Sequence, residues 1–242
     1  MKLSIIVCVF NEIATIRTAL ESLRAVDLGA WEREIIVVDN CSTDGTRKFL
    51  ETLDYLKMPD VRVILNERNL GKGGSIRVAI NALEGDYAVI HDADLEYDPA
   101  DHVKMLAEVE RGALAVFGSR TLGGEVVYEY AQNYWAVRFL TGLTNVLFGG
   151  HLTDVATALK LARADILKAL NLKTSGFDLD FELPCKLLRA GVDIREVAVS
   201  YKPRTAEEGK KIRPIDGVSA LRVILWERLG LSRIWKGEPP AL

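Results

Sequence analysis

Tyr87-Ala88-Val89-Ile90-His91-Asp92-Ala93-Asp94-Leu95-Glu96-Tyr97-Asp98-Pro99 is an apolar run that breaks off into carboxylates. Tyr87 to Ile90 reads as a buried parallel strand. Ligands of open α/β sheets sit at the carboxyl ends of such strands, which is where the acids begin. If the chain stays extended past Ile90, the side-chain period of two turns Asp92, Asp94 and Glu96 the same way. Three carboxylates so crowded repel one another unless a cation neutralises them, and oxygen-only ligands suit Mg²⁺ or Mn²⁺. Asp98-Pro99 then reads as a helix N-cap followed by proline at the first helical position. A solvated acidic loop has the same composition, so the neighbouring segments must decide between the two.

On the N-terminal side, Leu3 to Val9 is a first apolar strand, broken by Asn11-Glu12. A helix follows, with Ile13, Ile16, Ala19, Leu20 and Leu23 at helical spacing. Glu34 to Val38 is a second strand, and the polar loop Asp39 to Thr46 after it can present carboxylates and hydroxyls to a ribose or base. The same loop also reads as a turn with a helix N-cap at Ser42 or Asp44, and the two readings are compatible. Val61 to Leu65 is a third strand. Asn66 to Ser75 opens the next helix, its glycines allowing close backbone approach and its N-terminus attracting anions. The spacing is neither that of a phosphate-binding P-loop nor that of a dinucleotide fingerprint after the first strand.

On the C-terminal side, a helix from about Ala100 to Arg111 and a fifth strand, Ala113 to Gly118, lead into Ser119-Arg120. Strand and helix thus alternate, the signature of an α/β fold with a mostly parallel sheet and helices on both faces. The second half is less regular. Ala131 to Phe148 reads as an apolar helix with Tyr134, Trp135, Phe139, Leu143 and Leu147 available for one face, and such stripes serve cores or membrane surfaces. Thr157 to Ala162 reads as a strand, Gly176 to Leu183 opens a helix ending near Gly191, and Val192 to Ser200 reads as the last strand. The segment from Tyr201 to Arg213 holds five basic and two acidic residues. It is a solvated face or a loop able to close over phosphate oxygens. A final helix, about Pro214 to Leu229, has Val218, Leu221, Leu225 and Leu229 on one side.

Composition bounds the classes. The 242 residues are 49% hydrophobic and 27% charged with a net charge of −3, ordinary for a globular protein and without the basic excess of a nucleic-acid binder. Cys8, Cys41 and Cys185 are odd in number and lack metal-ligand spacing, which favours a reducing, cytoplasmic setting. Met1-Lys2 leads straight into a strand, with no signal peptide. Tyr134 to Gly150 is shorter than the roughly 20 residues of a spanning helix, and it contains Arg138. Nothing in the sequence speaks to oligomeric state.

In combination, Ser4–Glu12, Val37–Thr46, Asn69–Ser75, Asp92–Pro99, Gly118–Arg120, Gly176–Leu183 and Arg204–Ile212 resemble, in order, the motifs of family-2 glycosyltransferases of GT-A fold. The resemblance is to the branch related to dolichyl-phosphate mannosyltransferase and other polyprenyl-phosphate glycosyltransferases. It spans nearly the whole chain and divides it into a catalytic domain, residues 1–200, and a basic active-site loop with a C-terminal helix, residues 201–242. Within the domain, 1–118 would be the nucleotide-sugar half and 119–200 the acceptor half.

The resemblance implies an inverting transfer from a nucleotide diphosphate sugar to a lipid phosphate at the membrane surface. Glu12 and Asp39 would bind the nucleoside, with Phe10, Lys72 and Ala93 beside them. Asp92 and Asp94, with Glu96, would hold the metal on the sugar diphosphate. Arg120, joined by Arg138, would meet the acceptor phosphate, and Arg204 with Lys210 and Lys211 would clamp phosphate. The chain departs from the family at Cys8 and Phe10, where proline and tyrosine are frequent, at Asn40 in place of a second aspartate, and at Glu96 in place of glutamine.

Chemistry bears on the acceptor. A phosphate monoester is already anionic near neutral pH and needs placement more than a base. A sugar hydroxyl needs a carboxylate within hydrogen-bond reach, for which Asp180 and then Asp178 are the candidates. Both also suit a helix N-terminus for electrostatic reasons alone. Two other classes share such a sheet: a sugar-1-phosphate nucleotidyltransferase, which would carry a glycine-rich loop after the first strand, and a non-catalytic sugar-nucleotide binding module.

Overall fold

The first strand is apolar on both sides because both of its faces are covered. β1 (Lys2–Val9) buries Ile5 and Val7 on one face of the sheet and Ile6 on the other. The computed structural model describes residues 1–53, 58–123, 131–204 and 214–230. After β1 come α1 (Ile16–Ala25), β2 (Glu32–Asp39), α2 (Thr46–Leu50), β3 (Val61–Leu65), α3 (Gly71–Asn81), β4 (Tyr87–Ile90) and α4 (Asp101–Glu110). The second half holds β5 (Ala115–Ser119), α5 (Ala131–Phe148), β6 (Lys160–Arg163), α6 (Ala164–Ala169), α7 (Leu179–Arg189), β7 (Ile194–Ala198) and α8 (Pro214–Arg228).

The strands form one sheet in the order β3-β2-β1-β4-β6-β5-β7. All pairings are parallel except those of β6, which runs antiparallel to both β4 and β5. This is the expected α/β sheet, continuous across residues 118 and 119. α1 and α4 cover one face, around Ile16, Leu20, Met105 and Leu106; α3, α6 and α7 cover the other, around Ile76, Ile166 and Leu183. A third cluster joins α5, α7 and α8 through Leu140, Phe181, Ala220 and Ile224. Strand order reverses between β1 and β4, so their carboxyl ends flank the crevice where α/β sheets bind ligands.

Four local expectations are corrected. Ile13 precedes α1 and is exposed. Asp98 accepts the Ala100 N–H at 2.9 Å in a turn of its own, and the helix proper opens at Asp101. On α5, Leu143 and Leu147 pack partly buried against the third cluster as expected, but the most buried positions are Leu140, Thr141 and Thr144, and Trp135 and Phe139 are exposed. Polar anchoring sets that rotation, because Thr141 Oγ1 accepts the Val155 N–H and the Asn145 amide bonds both backbone groups of Leu152. α8 likewise turns Ala220, Ile224 and Glu227 inward and leaves Val218, Leu225 and Leu229 exposed. The Glu227 carboxylate bonds Arg189 of α7 at 2.8 Å, so a buried ion pair rather than the leucine stripe fixes the face.

Candidate active site

Two tight turns build the crevice. Asn11 at the end of β1 adopts φ 55° and Leu95 after β4 adopts φ 64°, left-handed backbone that a side-chain-bearing residue enters only when its surroundings demand it. Asn11 is laced to the loop after β2: its N–H donates to Ser42 Oγ at 2.9 Å and its Oδ1 accepts the Thr43 N–H at 2.8 Å. The Glu12 N–H in turn donates to Thr46 Oγ1. The chain after β4 is therefore not extended, as the period-of-two argument assumed. Asp92, Asp94 and Glu96 still emerge on one side while His91, Ala93 and Tyr97 turn into the core, because the turn is closed by the Glu96 N–H on Asp94 Oδ1.

The acids are met by two cations. Arg204 reaches Glu12 at 3.1 Å and Asp94 at 3.2 Å, with Glu96 at 3.8 Å. Lys72, at the start of α3, reaches Asp92 at 2.9 Å and Asp180 at 3.4 Å. Burial lowers the Lys72 pKa, but Asp180 and Asp92 outweigh it and hold the ammonium above the ordinary lysine value. Asp94 moves the other way: burial first, then Asp92 and Glu96, push its carboxyl up to about 7 despite Arg204. Burial, with Asp92 next to it, also raises the Cys8 thiol, so this cysteine stays protonated.

Gly71 and Gly73 place Lys72. A Cβ on Gly71 would collide with the Ser175 carbonyl, and one on Gly73 would lie 2.7 Å from the Thr174 carbonyl. The close approach these glycines permit is to the chain's own backbone, which wedges the start of α3 against the turn before α7. That turn brings in Asp180, whose other oxygen lies 3.2 Å from Lys160. Burial would raise the Asp180 value, yet Lys160 and Lys72 together hold it below the usual carboxylate range. Asp178 is half-buried and accepts the Gly176 N–H at 3.0 Å.

Glu96 and Arg120 have protein partners. Glu96 accepts the Tyr201 hydroxyl at 2.9 Å and the Arg204 backbone N–H at 2.8 Å, tying the segment after β7 to the acidic turn. Arg120 forms a two-pronged pair with buried Asp154, Nε and Nη2 at 2.7 and 2.8 Å, and its guanidinium lies 5.0 Å from the Tyr201 ring centroid. Arg138 is exposed on α5 and donates to the carbonyl of Thr153, the residue before Asp154. Both arginines expected at an acceptor phosphate thus converge on one loop. Asp39 is fully buried, bracing its own loop through the Ser42 N–H and Arg47. Phe10 is half-buried at the end of β1, and Ala93 has its methyl in the core. Lys210 and Lys211 lie outside the described residues.

With this geometry in place, comparison with known proteins is informative. The model of the family described as "Glycosyl transferase family 2" matches residues 4–170, more than half of the chain. The chain belongs to glycosyl transferase family 2. This glycosyltransferase is 29% identical over 244 residues to an undecaprenyl-phosphate mannosyltransferase of Micrococcus luteus, covering 98% of this chain and 97% of that protein. It is 28% identical over 176 residues to a dodecaprenyl-phosphate galacturonate synthase of Rhizobium johnstonii, across 71% of this chain but 51% of that protein. Among solved structures, glucosyl-3-phosphoglycerate synthase of Mycobacterium tuberculosis bound to uridine diphosphate superposes with a TM-score of 0.70 at 20% identity, covering 94% of this chain and 80% of that one. At that identity the likeness is one of fold, and the fold is GT-A.

The glycosyltransferase's acidic turn suits a hard divalent cation. Its donors are all oxygens, and the neighbouring Asp92 and Glu96 add to burial in raising the Asp94 carboxyl despite Arg204. Among the described residues no three acidic, histidine or cysteine side chains form a ready cage. Mg²⁺-type sites commonly use one or two carboxylates and complete the shell with substrate phosphate and water. Asp92 and Asp94 fit that role, with Glu96 beside them; the Glu96 oxygens bond Tyr201 and Arg204, as those of Asp94 bond the Glu96 N–H and Arg204.

The residues that sequence reasoning missed are Asp154, Tyr201 and Lys160. A lysine inside the apolar stretch Ala158 to Ala162 was the one available signal. Asp154 and Tyr201 offer no signal, since each acts through a partner distant in sequence.

Proposed function

We propose that this glycosyltransferase moves a sugar, with inversion, from a nucleotide diphosphate sugar to an acceptor that carries phosphate, and that the acceptor is a polyprenyl phosphate. The observation that carries the reading is the paired arrangement at the carboxyl edge of the sheet. Asp92 and Asp94, with displaceable Lys72 and Arg204, form one pole, and Arg120 and Arg138 converge at the other.

Asp92 and Asp94 would hold Mg²⁺ or Mn²⁺, whose chemistry is to neutralise charge on the departing diphosphate. Lys72 and Arg204 turn from carboxylates to phosphate oxygens as the donor seats, with Lys210 and Lys211 assigned to the same clamp. Glu12 and Phe10 would face the nucleoside, with Asp39 bracing the loop that receives it and Ala93 contributing backbone between the two aspartates. An acceptor phosphate oxygen attacks the anomeric carbon, the bond to the diphosphate breaks, and nucleoside diphosphate leaves. No proton need be removed from a phosphate dianion. Asp180 supports this route, because a carboxylate gripped by two lysines and held below its ordinary range is a weak base.

A polyprenyl acceptor lies in a membrane. Among the described residues no helix is long and apolar enough to cross one. α5 exposes Trp135 and Phe139 beside Arg138, a combination that suits docking on the cytoplasmic membrane face.

A second reading is transfer to a hydroxyl of a small phosphorylated molecule. It is favoured by the fold neighbour glucosyl-3-phosphoglycerate synthase, solved with Mn²⁺, uridine-diphosphate-glucose and phosphoglyceric acid or glycerol 3-phosphate. Asp178, the less encumbered carboxylate, then serves as base. The deciding experiment incubates the protein with a panel of nucleotide sugars, Mn²⁺ or Mg²⁺, and either a short polyprenyl phosphate or a small phosphorylated hydroxy acid. Mass analysis is expected to find sugar joined through the lipid phosphate. Transfer to the hydroxy acid alone would overturn the lipid reading, and no transfer to any acceptor would overturn both.

A further inference from the structure

Lys160 is the strangest charge in the molecule. It sits on β6, in the sheet between β4 and β5, with its side chain wholly inaccessible to solvent. Its ammonium donates to the Thr157 carbonyl and to Asp180 Oδ1, and lies 5.5 Å from the Phe117 ring centroid. Asp180 joins it to Lys72, and Lys72 joins Asp180 to Asp92. One chain of alternating charge, Lys160–Asp180–Lys72–Asp92, therefore runs from the interior of the sheet to the acidic turn, drawing on β6, α7, α3 and the end of β4. Burying an ammonium is costly, and an apolar residue of similar volume is commonly as stable or more so. What the ammonium adds is charge beside Asp180.

We propose that Lys160 is a positioning residue for donor binding, acting through Asp180 on Lys72. This inference rests on the donor-site reading above. When a diphosphate claims Lys72, a buried Asp180 would be stranded if Lys72 were its only counter-cation. Lys160 keeps Asp180 compensated, so Lys72 turns to phosphate at small cost. Without Lys160, Asp180 holds Lys72 alone and competes with the substrate for it.

The test is a double-mutant cycle read by calorimetric titration of nucleoside diphosphates with Mn²⁺, in wild type, Lys160→Met, Lys72→Ala and the double variant. Lys160→Met is expected to weaken binding about tenfold, within the range for residues sharing one network. In the Lys72→Ala background the same change should alter binding less than about twofold, because the group it acts through is gone. Equal losses in both backgrounds, or no loss in either, would overturn the proposal and leave Lys160 a packing residue. If Lys160→Met does not fold, the cycle is run with Lys160→Gln, which keeps donors for Asp180 and the Thr157 carbonyl but lacks the charge. A Gln variant that binds as wild type would also overturn it. Failure of wild type to bind any nucleoside diphosphate is a separate outcome that removes the donor-site reading itself, and this inference with it.

Discussion

Arg120 and Arg204 stand on the same edge of the sheet, bonded to carboxylates, and they are held in opposite ways. Arg120 grips Asp154 through two short parallel hydrogen bonds, with the carboxylate fully buried. Arg204 is divided among Glu12, Asp94 and Glu96 at 3.1 to 3.8 Å, and its buried Nε has no hydrogen-bond partner among the described residues. The first arrangement stores stability in one geometry. The second leaves an arginine with several mediocre partners, which a diphosphate offering better oxygens can outcompete. On the proposed reading, Arg120 would serve the acceptor pole mainly by fixing Tyr201 and the Asp154 loop, and Arg204 would be the cation that turns to the donor diphosphate.

The largest effect expected is on the other side of Arg204. Asp94→Ala should lower turnover at least about 10³-fold, since both a metal ligand and the charge gathering Arg204 are lost. Its melting temperature should match wild type, and full wild-type activity in EDTA would contradict the metal assignment. Arg120→Ala should instead unfold the protein more readily, by about 3–5 kcal/mol or on the order of 10 °C in Tm, because it strands a buried carboxylate.

That loss has a pH signature. Burial alone would raise the Asp154 pKa, but Arg120 outweighs it and holds the carboxyl below the ordinary carboxylate value. A lowered folded value contributes stability that is present above the unfolded pKa and is lost as pH falls through the folded one. The Tm gap between wild type and Arg120→Ala should therefore be widest at neutral pH and close only as pH falls below about 4. A constant gap in scanning calorimetry would mean that packing, not charge, is what Arg120 supplies.

Arg204→Ala inverts the pattern. It should cost about 10²-fold in turnover and less stability than Arg120→Ala, because its charge is shared among three carboxylates, and a Tm loss as large as that of Arg120→Ala would erase the contrast. The smallest effect sharpens it. Glu96→Gln keeps one acceptor oxygen for the Arg204 N–H while its NH2 can donate to the Tyr201 hydroxyl, so turnover should stay within about fivefold of wild type, whereas Glu96→Ala frees that segment. A Gln variant as weak as Asp94→Ala would make Glu96 a metal ligand after all.

The apolar runs determined β1 to β4 and the helices between them, because strands covered on both faces are apolar throughout and turn residues bound them. The acidic turn was equally legible: Asp92, Asp94 and Glu12 lie beside strand ends, and position in the chain almost fixes position in the crevice. The inward faces of α5 and α8 were only partly legible. Leu143, Leu147 and Leu221 pack on the core as the stripes predict, but bonds from Thr141, Asn145 and Glu227 to distant segments turn Trp135, Phe139, Val218, Leu225 and Leu229 outward. Nor could sequence reveal that Asp180 is pinned by two lysines, that Arg120 belongs to Asp154, or that Glu96 anchors Tyr201 and Arg204. Those partners lie 20 to 108 residues apart, and only folding brings them within hydrogen-bond reach. Local composition decides which residues are buried or charged; which charge meets which is decided by the tertiary structure, because a pair's energy depends on a distance that the sequence does not contain.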